Sequence, residues 1–444
     1  MLDDNIPKPW LGKTTLVLAL AAAAVGVGNV FRLPYLVGEY GGLPFLAIYM
    51  ATVLSVVVPV LVAEVAVGSH GRGSPWGAMQ WVASQSGSDK PWWLMALLQV
   101  GCGLFLAEAL LDTVVWTVDR GLTLQAGALA SASPADIAGD FLARVEVSER
   151  YWQTMLPVLA VVLVLASLGA RVTMVVIGWL ALPAMFILGL SVVDFALDHG
   201  LPERAQSVVL RGSFNGITPE LVLAAISSGL VTLAAGVGVG LCFGTRAPRD
   251  QPLLRSVLAA AIIDMAFALF TVLVVVSVLG GARVLPDQGL SLVFVTLPYA
   301  FGNLPLGDIY GAAFFAFLTL GGCSALLALL EPAVLLCQRE LGFSRWWAGT
   351  AVALALALIK FTAATGLWER SLINPLVSMG LLPVAMLGLA LFVGWVLPRP
   401  IIRGTLYTEP KVLFLLWWGL LRYWAPLVLL SLMLVFWLMP FGAV

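Results

Sequence analysis

Long, nearly unbroken apolar runs make up most of this chain, and its charged residues gather in the short segments between them. A bilayer core about 30 Å thick takes roughly 20 apolar residues per helix. On that measure the pattern predicts eleven spans, near 14–38, 42–69, 92–124, 152–169, 172–197, 219–245, 253–280, 308–338, 346–366, 372–397 and 412–439. The expected fold class is an all-α polytopic membrane protein, with 1–444 forming one transmembrane domain. The run from Leu16 to Gly28 follows Lys8 and Lys13 as a secretory signal would. It continues through Asn29, Phe31 and Arg32 without a cleavage site, and so reads as the first span.

Composition agrees: 61% of residues are hydrophobic and 11% charged, against about 25% charged in soluble domains. A net charge of −1 gives nucleic-acid binding no support. Cys102, Cys242, Cys323 and Cys337 lie in or beside apolar runs with no CxxC pair, which points to packing rather than a disulfide framework or a zinc site. His70 and His199 fall in predicted loops on opposite sides, too far apart for a triad or a histidine metal cluster. No Gly-x-Ser-x-Gly, Walker or zinc motif is present, so neither an enzyme nor an ATP-driven pump is expected.

Lys and Arg divide unequally between alternating loops. One side holds Lys8, Lys13, Arg72, Lys90, Arg171, Arg246, Arg249, Arg255, Arg339, Arg345, Arg399, Arg403 and Lys411; the other holds Arg144, Arg150, Arg204, Arg211, Arg283 and Arg370. The positive-inside rule then puts the amino terminus in the cytoplasm, and eleven spans put the carboxyl terminus outside. Two outer segments, 125–151 and 281–307, are long enough for short helices covering an entrance.

Two spans carry glycines that should break them: Ala24-Val25-Gly26-Val27-Gly28-Asn29 in span 1, and Ala235-Gly236-Val237-Gly238-Val239-Gly240 in span 6. Glycine costs about 1 kcal/mol in a helix interior, and broken turns in hydrocarbon persist only where protein, ions or ligand satisfy the freed backbone. Gly-interrupted spans at corresponding positions point to an inverted-repeat transporter with its site at the midplane. The competing reading is close helix packing through small residues.

The residues around these breaks decide between the two. Trp10, the run Gly26 to Tyr35, Gly41-Gly42, Pro59, Glu64 and Gly68 resemble the first two spans of the neurotransmitter:sodium symporter family. The resemblance continues through span 6, Phe294-Val-Thr-Leu-Pro298, Glu331-Pro332 and Arg422-Tyr-Trp-Ala-Pro426. It implies two five-helix inverted repeats, about 10–198 and 218–397, with spans 1 and 6 unwound, plus one further helix at 411–440. This is the eleven-span form of bacterial members.

The resemblance also implies ligands for one or two Na⁺ ions. For the first they are the Ala24 carbonyl, the Asn29 side chain, Thr232, and Asp264 where the family usually has asparagine. For the second they are the Ala22, Val25 and Gly321 carbonyls and the Ser324 hydroxyl, with Ala325 replacing a further oxygen ligand and weakening the site. Hard cations want several oxygens at short range, which unwound carbonyls with Asn and Thr side chains supply.

The implied substrate wall is Ala24, Gly26, Val27, Gly28, Leu106, Leu110, Leu230, Val231, Thr232, Ala234, Val237, Ala325 and Leu329. Leu110 stands where the family has a carboxylate-holding tyrosine, Leu230-Val231 where it has an aromatic lid, and Ala23 at a polar wall position. Backbone N–H groups around Gly26 and Gly28, at a half-helix start, still suit a carboxylate. Arg32 matches the outer-gate arginine; its opposing position is Asn374, which forms no ion pair, and Glu369 lies further outward. Glu108 and Asp112 lie about 200° or more around the helix from Leu106 and Leu110 and should face another part of the bundle.

The expected function is a sodium-coupled symporter for a neutral, hydrophobic or bulky amino acid, in a bacterial inner membrane, with no nucleic-acid partner. Two alternatives keep the site: a symporter for another carboxylate, and a non-transporting amino-acid sensor. The topology is directly testable. A carboxyl-terminal reporter active only in the cytoplasm should be silent, because residues after Met439 face the periplasm; strong activity would remove the eleven-span reading.

Overall fold

The computed structural model describes residues 10–25, 27–129, 132–145, 149–286, 289–364 and 370–438. Among them every regular element is helical. Eight helices are long and apolar enough to cross a bilayer: Gly42–Gly71, Trp93–Gln125, Arg171–Asp198, Leu253–Gly281, Gly307–Glu340, Arg345–Ala363, Ile373–Val396 and Lys411–Leu438. The pair Lys13–Ala24 and Gly28–Tyr40, bent by 61°, makes nine when taken as one span. Tyr151–Ser167, Pro219–Leu230 and Gly289–Gly302 are shorter apolar helices. The carboxyl-terminal residues on which the topology expectation bears lie outside the described residues.

Local chemistry sets the helix ends that matter for the site. Pro219–Leu230 starts on Pro219, with the Thr218 hydroxyl accepting from the Leu221 N–H at 3.3 Å. The chain stops being helical after Leu230 and resumes at Val239. Between them Ala234, Gly236 and Gly238 have φ of 50°, 80° and 81°, which a right-handed helix cannot contain; glycine takes such angles at least cost.

The two longest helices, Trp93–Gln125 and Gly307–Glu340, pack along each other and form a frame. Lys13–Ala24 lies against Gly307–Glu340 and Leu253–Gly281, while Val239–Gly244 lies on Gly42–Gly71. This last contact is a glycine contact. A Cβ at Gly68 would strike the Leu241 carbonyl, and one at Gly244 the Val65 carbonyl.

The segments 125–151 and 281–307 each carry a short helix, Pro134–Val145 and Gly289–Gly302. Phe141 stacks on Phe294 at 5.0 Å, and Phe294 also meets Phe31 and Trp116, each at 5.7 Å. Buried Arg120 ties the first of these helices down through Asp140 at 2.8 Å and the Ile137 carbonyl at 3.1 Å. The four cysteines are unbonded thiols. His70 sits in the last turn of Gly42–Gly71 rather than in a loop.

Glu108 and Asp112 are both buried and do not line the central cavity, whereas Leu106 and Leu110 do. Asp112 pairs with Lys360 of the Arg345–Ala364 helix and accepts a hydrogen bond from Tyr151 at 2.5 Å. The Lys360 ammonium also lies 4.8 Å from the Tyr151 ring centre. Removing one partner strands a buried charge, whereas removing both does not. Lys360→Met should therefore cost about 3–5 kcal/mol, read as a lower melting temperature in detergent. Adding Asp112→Leu should recover most of the loss. A single variant that melts like the parent would show that the pair contributes nothing.

Candidate functional site

The two interrupted helices meet at the centre of the bundle. Lys13–Ala24 ends at Val25, which is extended (ψ 127°), and Val27–Tyr40 follows. Across from it, the non-helical backbone at 231–238 is held by Glu64 of Gly42–Gly71. Fully buried, Glu64 accepts from the Gly236 N–H at 2.6 Å and the Gln99 amide at 3.3 Å through Oε1, and from the Gly240 N–H at 3.1 Å through Oε2. A Cβ at Gly240 would lie 2.6 Å from the carboxylate, so only glycine lets that backbone come close enough.

A cavity of about 220 Å³ opens beside the breaks. Ala23, Ala24, Gly28, Leu106, Leu110, Val231, Thr232, Ala234, Val237, Ala325 and Leu329 line it. Leu230 does not: it is buried in the last turn of Pro219–Leu230 and is absent from the wall, which takes Ser228 and Val231 on either side of it. Gly26 and the Val27 side chain lie outside the described residues. Leu33, Ser228, Ala235 and Leu382 also line the cavity. Helical spacing could have found Ser228, one turn before Thr232, and Leu33, one turn after Asn29. Leu382, from a distant helix, carries no such signal.

One end of the cavity is a cluster of oxygens. Asp264, fully buried, accepts from the Thr232 hydroxyl at 2.6 Å and from the Asn29 amide at 3.2 Å. Asn29 Oδ1 lies 3.3 Å from Thr232 Oγ1, and the Tyr49 hydroxyl lies 3.3 Å from the same Oγ1. Thr232 has one hydroxyl proton, which serves the nearer Asp264. Asn29 Oδ1 and Thr232 Oγ1 then face each other without a good shared proton, an arrangement that a cation relieves. Tyr49 was not expected here, and nothing near it in sequence marks it.

The second proposed set is less clustered in side-chain oxygen. Ala22, Val25, Gly321 and Ser324 are buried where Lys13–Ala24 meets Gly307–Glu340. The Ser324 hydroxyl donates to the Leu320 carbonyl of its own helix at 2.7 Å. Ala325 brings only a methyl group.

Arg32 lies on the wall between this cavity and a second one of about 310 Å³, which Leu36, Glu220 and Phe436 also line. Asn374 is exposed, and no hydrogen bond joins it to Arg32 among the described residues. Glu369 lies outside them. The opposite end is tied more tightly. Trp10 donates from its ring N–H to the Phe243 carbonyl at 3.1 Å and from its backbone to Arg246 at 2.9 Å. Glu331 pairs with Arg345 at 2.5 Å and Arg246 at 3.7 Å.

Comparison with known proteins gives a consistent result. Residues 8–85 match the family model described as the sodium:neurotransmitter symporter family. The uncharacterized sodium-dependent transporter YhdH of Bacillus subtilis is 22% identical over 97% of this chain and 97% of its own. An uncharacterized sodium-dependent transporter of Haemophilus influenzae is 22% identical over 95% of this chain and 96% of its own. The crystal structure of MhsT in complex with L-phenylalanine shares the fold, with a TM-score of 0.85 at 24% identity, covering 96% of this chain and 99% of that one.

Glu64→Gln tests the support of the break, because an amide offers one acceptor where the carboxylate offers two. Hydrogen bonds to a charged group contribute about 1.5–3 kcal/mol each, so the variant should melt several degrees lower and exchange the Gly236 and Gly240 amide protons faster. Parental protection at both amides would show that the carboxylate does not hold this segment.

Proposed function

We propose that this chain is a sodium-coupled symporter of the sodium:neurotransmitter symporter family, working by alternating access, for a neutral amino acid with a hydrophobic or bulky side chain. The observation that carries this reading is the junction of Asn29, Thr232 and Asp264 with a largely apolar cavity. Sodium sits among those oxygens and the Ala24 carbonyl. A second ion, if bound, uses the weaker Ala22, Val25, Gly321 and Ser324 set.

The substrate carboxylate lies at the half-helix start around Gly28, where N–H groups and the helix dipole favour an anion. Its side chain meets Leu106, Leu110, Val231, Val237 and Leu329, which offer no polar partner. Because Leu110 brings no hydroxyl, a carboxylate lacking the α-amine is the second reading. The full architecture is eleven spans in two inverted five-helix repeats, with Glu149–Ser167 as the fourth span and the broken 219–244 segment as the sixth.

Asp264 sets this site apart. Residues 264 and 268 lie one helical turn apart on one face, and Ala268 brings no charge. The Asp264 carboxylate supplies the negative charge that balances sodium and substrate, so transport does not require chloride. A carboxylate that binds sodium must first lose its proton, so sodium and protons compete and uptake falls as pH falls.

Asn29→Leu and Thr232→Val should each raise the sodium concentration for half-maximal uptake about tenfold, equivalent to roughly 1.4 kcal/mol of ion binding, at unchanged protein abundance. The parent should transport in chloride-free medium, and Asp264→Asn should flatten the pH dependence and weaken sodium affinity. A chloride requirement in the parent, or parental sodium affinity and pH profile in Asp264→Asn, would refute the role given to this carboxylate.

A further inference from the structure

The cavity beyond Arg32 does not end inside the bundle. It shares Glu220, Leu223, Leu432 and Val435 with a larger groove of about 720 Å³ between Gly42–Gly71, Pro219–Leu230 and Lys411–Leu438. Ile48, Val56, Ile226 and Leu427 form much of that groove. Its hydroxyls are committed: Thr52 donates to the Ile48 carbonyl at 2.9 Å, Ser431 to the Leu427 carbonyl at 2.8 Å, and Ser55 accepts from the Trp424 ring N–H at 3.0 Å. Apart from Glu220, the groove is therefore largely hydrocarbon to a ligand. It also faces outward, since Lys411–Leu438 is one of the least buried spans and Leu427 is 57% exposed.

Two charges stand where the groove and the cavity join: exposed Glu220 lines both, and Arg32 lines the cavity. Arg32 and Glu220 line the adjoining cavity with opposite signs, and neither has a hydrogen bond or ion pair among the described residues. A guanidinium and a carboxylate in a largely apolar wall suit a headgroup that carries both charges. A small soluble solute would leave the groove unused, whereas a bilayer lipid reaches it from the side.

We infer that this connected cavity and groove form a phosphatidylethanolamine site, with the lipid phosphate on Arg32, its ammonium on Glu220 and one acyl chain along the groove. The tail gains little, because the bilayer it leaves is as apolar as the groove it enters. Selectivity therefore resides in the headgroup, and chain length should matter little. The site is separate from the 220 Å³ chamber but shares Arg32 with it, so the lipid stands at the wall of the chamber.

The test is headgroup analysis of lipids retained by the full-length protein after equilibration with equal phosphatidylethanolamine and phosphatidylglycerol. The parent should enrich phosphatidylethanolamine about fivefold, the effect of one partly exposed ion pair between its ammonium and Glu220, whatever the acyl length, and Glu220→Gln should bring the ratio close to that of the bulk. Ser431→Phe, which fills the groove, should lower the retained amount; Ala51→Leu on the opposite wall gives the same reading if that variant does not fold. No enrichment in the parent overturns the proposal, as does unchanged enrichment in Glu220→Gln. Preference for phosphatidylglycerol would mean an anion site on Arg32 alone. Displacement of the lipid by free phenylalanine would assign the groove to solute passage. Either result removes the phosphatidylethanolamine assignment without touching the symport reading.

Discussion

Everything at the centre of this protein depends on a buried carboxylate accepting hydrogen bonds from backbone that has left the helix. In hydrocarbon an unpaired N–H costs several kcal/mol, so the 231–238 break survives only because something inside the bundle receives its donors. Glu64 takes the Gly236 and Gly240 N–H groups, and Gln99 helps fix its position. That contact dictates the glycines. Gly236 and Gly238 supply positive φ, and Gly240 brings its backbone close enough to meet the carboxylate. Once the segment is pinned, Thr232 is aimed at Asn29 and Asp264, and Val231, Ala234 and Val237 become cavity wall.

Thr232 belongs to two structures at once. Its hydroxyl is part of the oxygen cluster, and it also lines the cavity, as does Asn29 from the other broken helix. A cation among these oxygens would hold both broken segments in register, and a solute in the cavity would rest on the same segments. Each ligand then lowers the ordering cost of the other. By linkage the coupling is reciprocal, and its size is the difference in ordering that one ligand leaves for the other to supply.

The parts legible in the sequence are those whose cause is local. A break needs glycine where the backbone turns, so both breaks stand out against apolar runs, and Asn29, Thr232 and Asp264 are conspicuous as polar residues within spans. Other partners come from remote segments. Lys360 meets Asp112 across 248 positions, and Tyr49 meets Thr232 across 183. Neither has a neighbour that marks it, because each answers a charge or hydroxyl on a remote segment. Leu230 was expected in the wall but lies outside it: the helix persists through 230, which sets Leu230 about 200° around from Ser228, the residue of that helix that lines the cavity. The opposing position to Arg32 was placed at Asn374 by resemblance, yet the oppositely charged residue sharing a cavity with Arg32 is Glu220, on the first turn of a different helix.

The two ends of the cavity are closed by different forces. At the Trp10 end the closure is polar and charged, since Trp10 bonds to Phe243 and Arg246, and Glu331 holds Arg246 and Arg345 together. Opening that end means separating buried charges, which is expensive in a low dielectric. At the Arg32 end the contacts around Phe294 are aromatic, and the arginine has no ion pair among the described residues. Aromatic faces can slide at a modest cost, about 0.5–1.5 kcal/mol per pair beyond burial. Ligands that tie Asn29 to Thr232 would act on the helix that carries Arg32, which follows Asn29 by three positions.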